Sequence, residues 1–328
     1  MPIWSEILAE LASTQEQGRP PDFDAVRRKY IAALHSHSAR NIILYASGWL
    51  QRNDVPPALV SIGDEDMQAF MEVSHGLEGD GLDLILHSPG GSPEAAEAVV
   101  SYLRSRFSDI RVVVPQLAMS AATMIACAAD KIVLGKHSFL GPTDPQLLLP
   151  TSLGVRAVPA QAILDQFDRA KQECADPAKL SAWLPMLSQY GPDLLVQCES
   201  ALEMSRDLVR TWLETYMFRS RDDRREKAKE ISDWLSDHEH FKSHSRHIPR
   251  MEIEKRDLRV SRLEDDQDLQ DLALSVFHAT THTFASTPAV KIVENHTGRA
   301  FIKQHVVQPM PAVQLGIAPA APEGSVPA

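Results

Sequence analysis

The sequence predicts an α/β protein built round a largely parallel sheet, and three observations carry that reading. Short, predominantly apolar runs recur along the first half: "NIILYASG" (41–48), "LDLILH" (82–87), "IRVVVP" (110–115) and "KIVLG" (131–135). A strand with one wet face alternates apolar and polar residues, whereas strands of a parallel sheet covered on both faces read as continuous apolar runs. Helical patterns lie between these runs, as in alternating α/β architectures. Finally, 328 residues, 44% hydrophobic and 23% charged, describe a soluble globular chain with ample core.

The elements follow in order. Residues 1–40 read as mostly helical, broken by the polar stretch "TQEQGRPPDFD" (14–24). After the strand at 41–48, "DEDMQAFMEVSHGL" (64–77) is an amphipathic helix with acidic residues in its first turn. The strand at 82–87 ends in "SPGG" (88–91), and the next helix opens with Ser92 as N-cap, Pro93 in its first turn and Glu94 near the positive dipole end. Ala95, Val99 and Leu103 give it an apolar row. Strands at 110–115 and 131–135 complete the set. From about 159 to 236 the pattern is helical, with the charged run "RSRDDRREKAKE" (219–230) as a solvated face, and a further helix is expected over 263–286. This divides the chain into an N-terminal helical segment (1–40), a main domain (41–262) with a helical insertion at about 159–236, a C-terminal helical extension (263–306) and a Pro/Ala-rich tail (307–328) expected to be disordered.

Composition excludes several function classes. A net charge of −11 argues against nucleic acid as a general partner. Three cysteines, Cys127, Cys174 and Cys198, form no disulfide framework and fit a reducing compartment. The N-terminus "MPIWSEILAELAS" lacks the basic and apolar regions of a signal peptide, and no apolar run approaches bilayer length. A cytoplasmic protein with no membrane span is the expectation. No P-loop is present, so any ATP-driven step would need a separate partner.

One serine stands out. In "QLAMSAATMIACAAD" (116–130), Ser120 lies between a strand and a run of small apolar residues. A helix starting there leaves unpaired N–H groups at its first turn, a favourable setting for an oxyanion. The competing reading is a serine N-cap. Gly90 and Gly91 bear on the choice: both "SPGG" and "AMSAA" sit at strand ends, where parallel sheets bind ligands, and one offers donors while the other offers a hydroxyl. That pair is a minimal kit for acyl transfer, although the G-x-S-x-G elbow is absent.

The string "LDLILHSPGGSPEAAEAVVSYLRS" followed by "VVVPQLAMSAATMIACAADKIVLGKHSFLGPTDPQ" resembles the Clp-protease/crotonase superfamily, and within it the serine dehydrogenase proteinase (SDH) family, a relative of the Clp proteolytic subunit and signal peptide peptidase A. The resemblance is strong from about 41 to 146 and continues through "SHSRHI" (243–248) to roughly 300. It implies a Clp/crotonase-type sheet spiral with flanking helices and a helical C-terminal extension. It also implies a serine peptidase with Ser120 as nucleophile, Gly91 and Ala121 N–H groups as oxyanion donors, a peptide or protein substrate and a homo-oligomer; nothing in the sequence requires a cofactor or metal. For the base, three arrangements compete. The histidine that follows the serine in the Clp subunit is replaced here by "GPTDPQ", which offers Asp144. The lysine of signal-peptide-peptidase relatives has no equivalent in "VPAQAIL" (158–164), and Lys171 lies deeper in that helix. The arrangement implied by the SDH resemblance is Ser120, Asp144, His244, in which His244 stands where Clp-like chains carry the acid; His247 is its nearest rival. A triad is defined by geometry and roles rather than chain order, so the exchange preserves the chemistry.

Other constellations have plainer readings. The four histidines of "HEHFKSHSRH" (238–247) match no metal-ligand spacing, His278 and His282 lack the glutamate of a zinc helix, His137 is at most a neighbour of the site, and Cys127 is helix packing. Two rivals to a peptidase remain. One is a crotonase-like acyl-thioester enzyme, which has no need of Ser120 or the Asp144/His244 pair; the other is a non-catalytic oligomeric scaffold.

Overall fold

The computed structural model describes residues 3–151 and 154–306, so the tail expected to be disordered lies outside the described residues. In chain order the strands are β1 (Asn41–Ser47), β2 (Gly81–His87), β3 (Asp109–Val114), β4 (Leu117–Ala118), β5 (Lys131–Leu134), β6 (Phe139–Leu140), β7 (Gln146–Thr151), β8 (Gly154–Pro159), β9 (Ile248–Pro249), β10 (Val260–Arg262), β11 (Ala289–Asn295) and β12 (Ala300–Gln304). The central sheet has seven strands in the order β10-β5-β3-β2-β1-β11-β12. Its first five run parallel, and β11 and β12 are added antiparallel at the β1 edge.

The apolar runs of the sequence now have a cause. Successive side chains of a strand point to opposite faces. Ile43, Tyr45, Leu84, Leu86, Val112, Val114, Ile132 and Leu134 enter one core, packed by helices Asp66–Ser74, Pro93–Arg106 and Ala121–Cys127. Their alternates Ile42, Leu44, Ala46, Ile85, Val113 and Val133 enter a second core under helices Phe23–Ser38 and Gln267–Ser286. Helix Pro93–Arg106 starts as its sequence dictates: Ser92 Oγ accepts from the Ala95 N–H at 3.0 Å, and Ala95, Val99 and Leu103 are buried.

The segment 159–236 is helical, with helices Ala160–Glu173, Pro177–Leu187, Leu194–Trp212 and Arg224–Leu235. The first and third pack on the β7–β8 hairpin through a small core of their own, in which Ala160, Ile163, Leu194, Cys198 and Leu202 meet Leu147, Leu149 and Val158. The C-terminal extension differs from the helical expectation. After helix Gln267–Ser286 it returns two strands, β11 and β12, to the central sheet. β11, "AVKIVEN", carries a lysine, a glutamate and an asparagine. All three are buried and paired: Lys291 with Asp66, Glu294 with Arg27 and Arg28, and Asn295 Nδ2 with the Val73 carbonyl. No helix among the described residues is long and apolar enough to cross a membrane.

One buried group makes the fold sensitive to pH. His87 closes β2 with no exposed surface, its ring between Trp49 (centroids 4.3 Å apart) and Phe277 (4.8 Å), and its Nδ1 accepts from the Leu117 N–H at 3.4 Å. Burial pushes its pKa from 6.5 down to about 3. Between those values the unfolded chain binds a proton that the folded chain refuses, so stability falls as pH drops through this window. At pH 5 this one group costs about 2 kcal/mol. Urea unfolding at pH 7 and pH 5 checks it: His87→Asn, which keeps an acceptor for Leu117, is expected to lose about 2 kcal/mol less than wild type on acidification. Equal losses in both proteins would refute this role for His87.

Candidate active site

Three chain segments converge because of a second, small sheet. β4 pairs parallel with β6, and β6 pairs antiparallel with β9. Ser120 follows β4, and Asp144 follows β6. His244 precedes β9, and the entering end of an antiparallel strand lies beside the leaving end of its neighbour. A residue before β9 therefore reaches the same edge as residues after β4 and β6. This explains in backbone terms how a histidine early in the third segment comes to face an aspartate late in the second.

Ser120 sits on a tight strand-to-helix turn at φ 53°, ψ −121°, a region costly for a side chain other than glycine. It holds the N-cap position of helix Ala121–Cys127, yet its side chain makes no capping hydrogen bond. The capping reading of this serine thus lacks its defining contact. Behind it, Thr123 Oγ1 donates to the Ala118 carbonyl at 2.7 Å and accepts from the Gly141 N–H at 2.9 Å, tying the serine turn to the loop that carries Asp144.

The glycine turn abuts this serine. Gly90 has φ 95°, and a Cβ there would lie 2.6 Å from both the Met119 carbonyl oxygen and Ser120 Cβ. Gly91 has φ 154°, and a Cβ there would lie 2.3 Å from the Ile62 carbonyl oxygen. Ile62 donates its N–H to Gly90 O (2.8 Å) and accepts from the Ser92 N–H (3.0 Å), a parallel bridge centred on Gly91. In such a bridge the N–H of the central residue points to the opposite side. Neither this N–H nor that of Ala121 has a partner among the described residues. The bridge is itself held by a buried ionic cluster: Lys291 Nζ donates to the Ser61 carbonyl (2.7 Å) and to Asp66 (2.7 Å), and Asp66 accepts from the Gly63 N–H (3.0 Å) and the Tyr45 hydroxyl (2.8 Å).

Asp144 is 1% exposed, and its Oδ1 accepts from His244 Nδ1 at 2.7 Å. Its Oδ2 accepts from His238 Nδ1 at 3.0 Å and from Gln146 Nε2 at 3.1 Å. The loop below is fastened by two further bonds, Ser205 Oγ to the Thr143 carbonyl (2.6 Å) and the Thr143 N–H to the Leu235 carbonyl (2.8 Å). With Nδ1 committed to Asp144, the neutral His244 ring presents Nε2 as an acceptor. Ser120 and His244 line one cleft of about 590 Å³, with Gly91 and Ala121 also on its wall. Among the described residues no hydrogen bond links Ser120 Oγ to the His244 ring. The cleft thus holds the parts that acyl transfer needs: an uncommitted hydroxyl on a strained turn, the Gly91 and Ala121 N–H groups without partners among the described residues, and an imidazole oriented by Asp144.

The rival bases lie elsewhere. His247 is exposed and rests on Phe139 (centroids 5.3 Å apart), while Lys171 is exposed and pairs with Asp168 at 2.7 Å. His240 lies edge-on to Phe241, so the histidine cluster at 238–247 is dispersed over different partners. His137 stays outside the cleft wall, and His282 Nε2 meets the Trp4 carbonyl at 3.1 Å. Cys127 is fully buried, and burial pushes its thiol up to about 12. Sequence reasoning missed His238 as a partner of Asp144. Its only signal was membership of the histidine cluster, which carries no information about a carboxylate 94 positions earlier.

Residues 61–183 match the family model of the ClpP-like SDH-type serine proteinases, a span that includes Gly91, Ser120, Ala121 and Asp144 and ends before His238 and His244. Two proteins of Methanocaldococcus jannaschii are similar over shorter stretches. Uncharacterized protein MJ0137 is 43% identical over 99 residues, 30% of this chain and 34% of that protein. Uncharacterized protein MJ1495 is 35% identical over 95 residues, 29% of this chain and 30% of that protein. The chain thus covers about a third of the length of these curated relatives. No solved structure matches it. Over residues 61–183, then, the chain is similar to the ClpP-like SDH-type serine proteinases.

Proposed function

We propose that this chain is a serine peptidase that cleaves polypeptides through an acyl-enzyme on Ser120. The supporting observation is that Ser120, on its strained turn, shares a cleft with His244, whose ring is oriented by the buried Asp144 at 2.7 Å. His244 Nε2 takes the Ser120 proton as Oγ attacks the scissile carbonyl carbon; this hydrogen bond forms with substrate in the cleft, as catalytic contacts of this kind often do. The N–H groups of Gly91 and Ala121 receive the oxygen as it becomes negative. The C–N bond breaks, the amine leaves with the proton from His244, and a water deprotonated by His244 then cleaves the ester. Asp144 holds the tautomer and stabilises the imidazolium.

Met124, Leu147, Leu148 and Met204 on the cleft wall favour apolar side chains next to the cut. The reading includes a homo-oligomer. Val155 and Val196, which are 70% and 62% exposed on β8 and on helix Leu194–Trp212, are the surface another copy would cover.

A fluorophosphonate probe with mass-spectrometric mapping tests this. The expected adduct is on Ser120, absent in Ser120→Ala and formed far more slowly in His244→Ala. A folded wild-type protein left unlabelled would rule the peptidase out in favour of the scaffold or thioester readings.

A further inference from the structure

Asp144 is a buried carboxylate with two oxygens, and each accepts from a different imidazole: Oδ1 from His244 at 2.7 Å, Oδ2 from His238 at 3.0 Å. An ionised carboxylate only accepts, so both rings carry their proton on Nδ1. The two rings differ in what lies on their other side. His244 lines the cleft of Ser120. His238 lines a separate polar pocket of about 700 Å³, between Arg206, Trp234 and Arg256, and is absent from the Ser120 cleft wall.

We propose that His238 is a positioning residue for the Ser120 site, a step that rests on the reading of Ser120, Asp144 and His244 as the reacting group and its base. A carboxylate can rotate about its Cβ–Cγ bond, and rotation would take Oδ1 out of line with His244. A donor on Oδ2 that is fixed in space prevents this. His238 is such a donor because its backbone is pinned on both sides. It opens the short helix His238–Phe241, where Asp237 accepts from the His240 N–H at 2.9 Å, and the helix ends on Phe241, 2% exposed against Trp234. Gln146, the other donor to Oδ2, is a longer and more flexible amide on the first residue of the β7–β8 hairpin. His238 therefore sets the carboxylate plane, and Asp144 transmits it to His244.

The test compares His238→Ala, which removes the donor, with His238→Asn, whose amide Nδ2 can take the place of Nδ1. On a peptide substrate, Ala is expected to lower kcat by about 10- to 100-fold with KM and the unfolding midpoint little changed, the size of effect that a small misplacement of a reacting group produces. Asn is expected to recover most of that loss. Independently of turnover, the His244 Nδ1 proton bonded to Asp144 should be visible by NMR in wild type and His238→Asn, and lost to exchange in His238→Ala. Wild-type kcat in His238→Ala, equal loss in Ala and Asn, or an unchanged His244 proton signal would each overturn the positioning role. If wild type itself neither turns over nor labels at Ser120, the peptidase reading fails, and the proton signal alone decides whether His238 positions Asp144.

Discussion

Asp144→Asn is expected to slow acylation of Ser120 by about 10³- to 10⁴-fold, the loss typical when a triad carboxylate becomes an amide of the same shape. The hydrogen-bond inventory gives the reason. Asp144 accepts three hydrogen bonds, from His244, His238 and Gln146, and an amide has one accepting oxygen and one donating nitrogen. If the amide oxygen faces His244, its NH₂ opposes two donors on the other side. If it turns round, NH₂ faces His244 Nδ1 and forces the proton to Nε2, where the ring can no longer take the serine proton. Either orientation also removes the charge that stabilises the imidazolium. The cost to stability is about 1–3 kcal/mol for each donor left unpaired. The second-order rate of fluorophosphonate labelling, with circular dichroism as the folding control, measures this directly. A loss smaller than tenfold in a folded variant would remove Asp144 from the proposed triad.

Lys291→Met should cost about 3–5 kcal/mol of folding free energy, because it leaves a buried carboxylate without its cation. Lys291 is 2% exposed and Asp66 1%. Burial pushes the Lys291 ammonium below its usual pKa, and Asp66 works against that shift. The phenol of Tyr45, which donates to the same carboxylate, is pushed well above its ordinary value by burial and then by Asp66. Apolar replacement of both charges removes the unpaired one, so Lys291→Met/Asp66→Leu should be more stable than Lys291→Met alone. Function is expected to suffer in both. Lys291 and Asp66 together hold Ser61 and Gly63, the residues flanking Ile62, and Ile62 bridges the glycine turn that lines the Ser120 cleft. Urea unfolding of the two variants, with labelling rates under conditions where each is folded, checks both parts. A single variant within about 1 kcal/mol of wild type would mean that the Lys291–Asp66 pair does not hold this region of the fold.

The parallel strands were legible because their burial is two-sided. A residue such as Leu44 or Val113 enters one core and its neighbours the other, so most positions are apolar and an exception such as Asp83 is paired, here with Arg40 and Arg111. The N-terminus of helix Pro93–Arg106 was legible because a cap is a contact three residues long. Ser120, Gly90 and Gly91 stood out as small residues at strand ends, and the serine's unusual backbone angles fit that placing.

β11 was not legible. It carries a lysine and a glutamate, and their partners are 225 and 267 positions away. The same holds for His238, which no local pattern separates from His240 or His247. The sequence by itself determined the elements whose stability comes from near neighbours and from hydrophobic burial, which has no direction and needs only apolar side chains at the right period. Which charges are buried in pairs, and which histidines meet Asp144, was decided only by the tertiary structure. Hydrogen bonds and ion pairs require two particular groups within about 3 Å in a particular orientation, a condition set by how distant segments are brought together.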